Sequence, residues 1–339
     1  MKKTITDLIL AFLILGLTVQ VDNLAYLSEQ LVGQLNIIFN IEPIDEVVAK
    51  NTISLKMKEQ LQLIEEIKTF AVESLHLKGK KNYTTFYDQK DQAILKVLTA
   101  SEPFKLKPYE WYFPIVGDVS YKGFFNFNRA LKEEQKLKDQ GFDTDLSPTS
   151  AWSTLGWFKD PVLSGMLNRS QGRLAELIIH ELTHTTLYLP SSVSYNENLA
   201  SAIGELGAMQ FLIQKYGDES DEVRKYKNQL STANRRSHHY IHGAKLLDSL
   251  YESSAFINLP IHLKIKIKAE FIERITVAED TIYSSINMNN SSQARKTPIN
   301  NTYFIGYRSY DGQKDSLKNI IDSLFNGKVA AYIHHISFP

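Results

Sequence analysis

His180-Glu181-Leu182-Thr183-His184 places two imidazoles and a carboxylate within five residues. The order matches H-E-x-x-H. On a helix, positions i and i+4 share one face, so both rings can converge on a single metal ion. Glu181 stands one residue from the first ring, where it reaches a water on the metal rather than the metal itself. Zinc lowers the pKa of a bound water to near neutral, and a carboxylate beside it can take the proton. The spacing therefore offers two ligands and a general base for hydrolysis. The same residues also fit a plain helix whose histidines are satisfied in a core or face solvent. Leu174, Ala175, Leu177, Ile178 and Ile179 just before them form an apolar run that predicts a buried helix. Burying two histidines and a glutamate together is costly unless they are paired or bound to metal.

Leu189-Pro190-Ser191-Ser192 breaks that helix, since proline cannot continue it. A second helical pattern runs from about Ser194 to Tyr216, with Gly217 as its stop. Its first turn holds Asn196-Glu197-Asn198-Leu199-Ala200, and a carboxylate there can return to the two histidines as third ligand. Two His and one Glu leave a fourth position for water, the catalytic arrangement of zinc. Ser194-x-x-Glu197 equally matches a capping box, in which Glu197 would bond only backbone. Glu205, two turns further on, is a second candidate for third ligand.

Beyond these residues the chain resembles a known group. HELTH followed by Asn-Glu-x-x-Ala is similar to the gluzincin metallopeptidases, the class of thermolysin and the zinc aminopeptidases. More closely, the chain resembles the bacterial predicted aminopeptidases, exported or membrane-anchored proteins. Gly33-Gln34-Leu35 and Glu42-Pro43-Ile44 resemble that family's amino-terminal helical pattern. Tyr121-Lys122-Gly123-Phe124-Phe125 resembles its Y-R-G-Y-F element. Ser153-Thr154-Leu155-Gly156-Trp157-Phe158-Lys159-Asp160-Pro161 resembles S-T-L-G-W-F-D-D-P. Arg173 to Ile178 leads into HELTH as in the family, and Asn300-Asn301 with Tyr307 and Tyr310 resembles its carboxy-terminal N-N…Y pattern. The resemblance implies His180, His184 and Glu197 as zinc ligands, Glu181 as catalytic base, and a peptide as substrate. It departs from thermolysin in two places. Only 12 residues separate His184 from Glu197, and Ser201 stands where thermolysin-like sequences carry an Asp that orients a ligand histidine.

Two further roles follow from what hydrolysis needs. An extended segment can pair with a peptide substrate by strand addition. Ser153, Thr154, Leu155 and Gly156 are candidates, with Gly156 allowing close backbone approach. Trp157 and Phe158 equally read as core. A donor must also meet the oxyanion that forms at the attacked carbonyl. Tyr303, Tyr307, Tyr310, Arg308, His238, His239 and His242 are candidates, and Tyr307 and Tyr310 are preferred because they fall in the family's carboxy-terminal pattern. His238-His239-Tyr240-Ile241-His242 could be a second metal cluster, but beside Arg235 and Arg236 it reads better as a polar helical face.

Composition narrows the alternatives. Lys+Arg and Asp+Glu number 38 each, so no basic excess marks a nucleic-acid surface. With no cysteine, disulfides, Cys-rich zinc sites and lipid attachment at cysteine are excluded, and a metal must use His and carboxylate. Met1-Lys2-Lys3 followed by the apolar run Leu8 to Val21 reads as an export segment without a small-x-small cleavage site. The run is short for a spanning helix, and the alternative is a buried helix at the amino terminus. The favoured reading is an uncleaved signal-anchor over residues 1–23, with the remainder facing the periplasm from the bacterial inner membrane.

Residues 24–339 read as one mainly α (α+β) metallopeptidase domain with a small β element before the HExxH helix. Its amino-terminal part, about 24–105, reads as helical, and its zinc-site core as about 106–325. Leu24, Leu27, Leu31 and Leu35 recur at helical spacing, and Met57 to Leu75 follows the same pattern. Trp111 to Val116 reads as a strand, Phe125 to Leu137 as a helix, and Ile261 onward as a helix started by Pro260. Asn287 to Asn301 reads as a loop. The sequence thus predicts a zinc-dependent peptide hydrolase. The alternative is a non-catalytic zinc-binding protein, or a metal-free helical interaction protein, at the membrane.

Overall fold

Two helices that no single amphipathic stripe explains form the centre of the molecule. The computed structural model describes residues 21–113, 117–149, 159–189, 192–284 and 298–337. Helix α5 (Gln171–Thr186) buries Leu174, Ala175, Ile178, Ile179 and Leu182, and α6 (Val193–Tyr216) buries residues around most of its circumference. A helix apolar on nearly all sides must be enclosed by others. Around this pair pack α3 (Leu55–Glu73), α7 (Asp221–Glu252), α10 (Asn301–Asp311) and α11 (Lys314–Phe325). The axes of α5 and α6 approach closely because Gly204 lacks a side chain: a Cβ there would lie 3.0 Å from the Glu176 carbonyl oxygen and 3.3 Å from His180 Cβ. Gly217 ends α6 at φ 87, a left-handed conformation glycine adopts without penalty.

The remaining helices are α1 (Val21–Phe39), α2 (Ile44–Ala49), α4 (Phe127–Asp139), α8 (Ser254–Ile257), α9 (Ile261–Ser284) and α12 (Val329–Ser337). The fold is mainly α with small sheets, as the periodicity predicts. One apolar core runs from Ile37 to Ile333 through α3, α5, α6 and α11. A second lies around Tyr240 between α7, α9 and α10, and a third around Trp111 and Phe124.

The strands form three small sheets. β2 (Thr85–Tyr87) lies between β1 (Glu42–Pro43), antiparallel to it, and β8 (Val162–Leu163), parallel to it with Phe86 opposite Val162. β8 passes through a 3₁₀ turn, Ser164–Asn168, into α5. β3 (Lys96–Ser101) pairs antiparallel with β6 (Lys122–Phe124) and β7 (Asp143–Pro148), while β4 (Trp111–Phe113) and β5 (Gly117–Val119) form a hairpin. Residues 24–105 are therefore not helix alone, since β1, β2 and β3 fall within them. The strand expected over 111–116 is described to Phe113, and 114–116 lie outside the described residues. Pro260 precedes α9 as expected. Of the expected loop at 287–301, residues 298–300 are irregular, Asn301 begins α10, and the rest lies outside the described residues. The export segment lies outside them as well. Among the described residues no helix is long and apolar enough to cross a membrane.

Candidate metal centre

Helical spacing brings His180 and His184 together on α5, as i and i+4 require. Their Nε2 atoms lie 3.1 Å apart, and the rings meet edge to face. The helix ends at Thr186, and helix resumes at Val193. Asn196 ties Leu189 to the first turn of α6: its Oδ1 accepts from Leu189 N at 2.9 Å and its Nδ2 donates to Leu189 O at 2.8 Å. Clamping the loop onto the first turn of α6 aims Glu197 back at α5. Glu197 Oε2 stands 3.4 Å from His180 Nε2 and 3.6 Å from His184 Nε2. The capping box does not form. The N-cap is Ser192, without a side-chain cap bond, and Ser194 Oγ donates instead to Ser309 O at 3.0 Å.

The donor set fits a tetrahedral ion. Zinc at its usual 2.0–2.1 Å from nitrogen and oxygen ligands requires donor atoms about 3.3–3.4 Å apart; the three edges here are 3.1, 3.4 and 3.6 Å. Among the described residues this is the only group of three or more His, Asp or Glu with metal-holding geometry. His238 pairs with Asp315 and His239 with Ile275 O, so the histidine-rich stretch of α7 does not converge on one point. Glu205 is occupied elsewhere. Only 4 % exposed, it bonds Lys314 and Lys318, each at 2.7 Å.

Burial and charge set opposite tendencies in the two carboxylates. Burial works to raise the Glu197 carboxyl, but hydrogen bonds to His180 and His184, with their charge, outweigh it and hold it down to about 2. Glu181 goes the other way. Burial pushes it up, the histidines pull against that, and the negative charges of Glu197 and Asp160 add to the rise. Burial alone would lower His180; the Glu197 hydrogen bond and the charges of Glu181, Glu197 and Glu176 raise it instead. The two neighbouring carboxyl groups are thus driven apart, Glu197 down and Glu181 up.

Three tyrosines lie within electrostatic reach of the carboxylates of the site. Tyr310, in the last turn of α10, is 46 % exposed. Burial and the charges of Glu197 and Glu181 push its phenol well above the ordinary tyrosine value, with Tyr121 beside it. Tyr121 is raised by burial, by Glu197 and by Tyr188. On the inner side Tyr83, fully buried at φ 54, is raised by burial, Glu181 and Asp160. The structure therefore brings His180, His184 and Glu197 together, with Glu181 on the same helix and Tyr310 within electrostatic reach of Glu197 and Glu181. Tyr307 lies in the second core, stacked on Tyr240 at 5.0 Å and bonded to Tyr303, away from the triad. Arg308 is held by Asp248 and Leu106 O. Ser153, Thr154, Leu155 and Gly156 lie outside the described residues. Asn300 and Asn301 are structural: Asn300 caps α10 by accepting from Thr302 N, and Asn301 Nδ2 donates to the Glu102 carbonyl.

Sequence reasoning did not single out Tyr83, Tyr188 or Asp160. Asp160 belongs to a quoted motif, yet nothing in its spacing ties it to Glu181, because the link runs through β8 and the backbone bond from Tyr83 N to Asp160 O at 2.8 Å. A family model described as "Putative aminopeptidase" matches residues 25–337. No curated protein and no solved structure matches the chain.

Proposed function

The chain belongs to the family described as "Putative aminopeptidase", and on that premise we propose that it is a zinc peptidase whose metal is held by His180, His184 and Glu197. The observation that carries this reading is the convergence of those three donors beside Glu181. Zinc in such a site supplies a Lewis acid that acidifies water and polarises the carbonyl under attack. Glu181, raised by burial, accepts the proton from water and returns it to the leaving amine. Glu197, held down to about 2, stays an anionic ligand across the physiological range. Tyr310 keeps its proton and can donate a hydrogen bond to the developing oxyanion. Tyr121 lies within electrostatic reach of Glu197 and of Tyr188. The peptide backbone would pair with Ser153, Thr154, Leu155 and Gly156 as an added strand.

The amino-terminal run Leu8 to Val21 would hold this domain at the outer face of a bacterial inner membrane, uncleaved. Mass spectrometry of the membrane-fraction protein is expected to recover the first residues; a soluble form starting after Gln20 would contradict it. The function is tested on the metal-loaded full chain with a panel of free-amine aminoacyl-coumarins and a pool of internally quenched peptides. Stoichiometric zinc, hydrolysis of at least one probe and its loss with a chelator are expected. Bound zinc without hydrolysis of either class would favour the non-catalytic zinc protein, and absence of metal binding would overturn the site.

A further inference from the structure

The metal-ligand turn of α6 and the turn carrying Tyr310 are joined through one buried side chain. Asn198, the residue after Glu197, has 0 % exposure. Its Nδ2 donates to Ser194 O and to Ser309 O, each at 2.7 Å, and its Oδ1 accepts from Gln313 N at 2.7 Å. Ser194 Oγ donates to the same Ser309 carbonyl. Helix ends leave their last carbonyls and first N–H groups without intrahelical partners. Ser309 O belongs to the last turn of α10 and Gln313 N to the N-cap of α11, so Asn198 satisfies both orphaned ends at once. The two groups it grips bracket Tyr310 in sequence. A second, ionic attachment lies farther along the same face, where Glu205 of α6 meets Lys314 and Lys318, and Lys314 meets Asp311 at 2.7 Å. The segment 309–318 is thus fastened to the ligand helix by polar groups, and the attachment nearest the metal centre is Asn198.

We propose that Asn198 is a positioning residue: it fixes the Tyr310 phenol against the His180/His184/Glu197 centre, and turnover depends on it through Tyr310. The inference rests on the peptidase reading above. Asn198→Asp keeps the shape and the acceptor for Gln313 N, but it turns the donor facing Ser309 O into an acceptor. Neither Glu197 nor the histidines are touched, so zinc content is expected to match wild type. With the quenched-peptide pool, kcat is expected to fall by about 10²-fold, the scale of losing one oxyanion donor, with KM little changed. A purely structural role would cost activity equally in any background. If Asn198 acts through Tyr310, Asn198→Asp adds little to the loss already caused by Tyr310→Phe. Ser194→Ala removes the bond to the same carbonyl and a long 3.5 Å contact from Asn198 Nδ2, and leaves the Asn198 bonds to Ser309 O and Gln313 N in place; it serves if the Asp variant does not fold. It is expected to lower kcat a few-fold in wild type and not in Tyr310→Phe.

A substrate-free arm tests the attachment itself. In Asn198→Ala the Gln313 amide is expected to lose at least about tenfold in hydrogen-exchange protection. Unchanged protection there overturns the proposal, as does wild-type kcat in Asn198→Asp, or equal fold-losses with and without Tyr310→Phe. Wild-type turnover in Tyr310→Phe alone removes the Tyr310 role and the proposal with it. Failure of the wild-type chain to cleave any probe refutes the peptidase reading, while the exchange measurement still decides whether Asn198 fastens the turn.

Discussion

Glu205→Gln separates two roles that the sequence left open for this residue. The carboxylate is 4 % exposed and lies between Lys314, itself 5 % exposed, and Lys318, with both contacts at 2.7 Å. Burial alone would raise its pKa; the charges and hydrogen bonds of the two lysines overcome that and lower it from 4.5. Gln keeps the size and one acceptor oxygen but leaves Lys314 with Asp311 as its one remaining carboxylate at close range. Removing one partner of a buried pair costs about 3–5 kcal/mol, because the other charge stays buried. Asp311 offsets part of this, so a loss of about 2–4 kcal/mol is expected. Zinc should stay bound, since Glu205 takes no part in the His180/His184/Glu197 triangle. The assay is urea unfolding of the metal-free chain followed by zinc content after dialysis. Unchanged stability with lost zinc would refute the reasoning and return Glu205 to the ligand set.

Glu197→Gln is the converse: zinc affinity should fall while metal-free stability is largely kept, as read by dialysis against a weak chelator and by urea unfolding, because Glu197 forms no capping box. Gly204→Val should destabilise by about 1–3 kcal/mol through overpacking and weaken zinc binding, since its Cβ would meet the Glu176 carbonyl oxygen at 3.0 Å. Gly306→Ala in α10, where a Cβ meets nothing within 4 Å, should instead gain about 0.5–1 kcal/mol; thermal unfolding compares the pair. The Glu205–Lys314 pair also sets a pH window. Glu205 is depressed below 4.5, so its contribution is present above that value and is lost as pH falls through the folded value. Burial works to lower Lys314, but Glu205 and Asp311 outweigh it and raise it above 10.5, so its contribution is lost only as pH rises past that value. Unfolding of the metal-free chain across pH should show both losses, and Glu205→Gln should flatten the acid one.

What could be read without coordinates followed from local pattern. The i, i+4 histidines, the apolar run before them, the proline break and the glycine stop at 217 are each short-range signals; α6 starts and stops within a residue or so of its own, while α5 spans Gln171–Thr186 and ends before the proline is reached. The helix after Pro260 has the same origin. The missed elements depend on distant partners. β7 reads Asp-Thr-Asp-Leu-Ser-Pro, a turn-like composition, and becomes a strand because Val97 and Leu98 of β3 offer it a ladder. β2 and β8 are three and two residues long and exist through pairing, β2 with both β1 and β8. α7 carries so many charged and polar residues that its apolar stripe of Val223, Tyr226, Tyr240, Ala244 and Leu247 is diluted. In the site, the family pattern offered Tyr307 and Tyr310 together. Helical spacing puts neighbours three apart near each other, yet Tyr307 turns into the Tyr240 core while Tyr310 comes within electrostatic reach of Glu197. That choice is made by where α10 packs, and Asn198 is part of what fixes it.

The central claim is that Glu181 is the base beside a zinc ion held by His180, His184 and Glu197, and Glu181→Gln tests it most directly. Gln preserves the shape but cannot take a proton from water. With zinc measured in the same samples, the variant should hold one equivalent of metal, as wild type does. Its kcat on whichever probe the wild type cleaves should fall by about 10²–10⁴-fold. Wild-type turnover in the zinc-loaded variant would contradict the account.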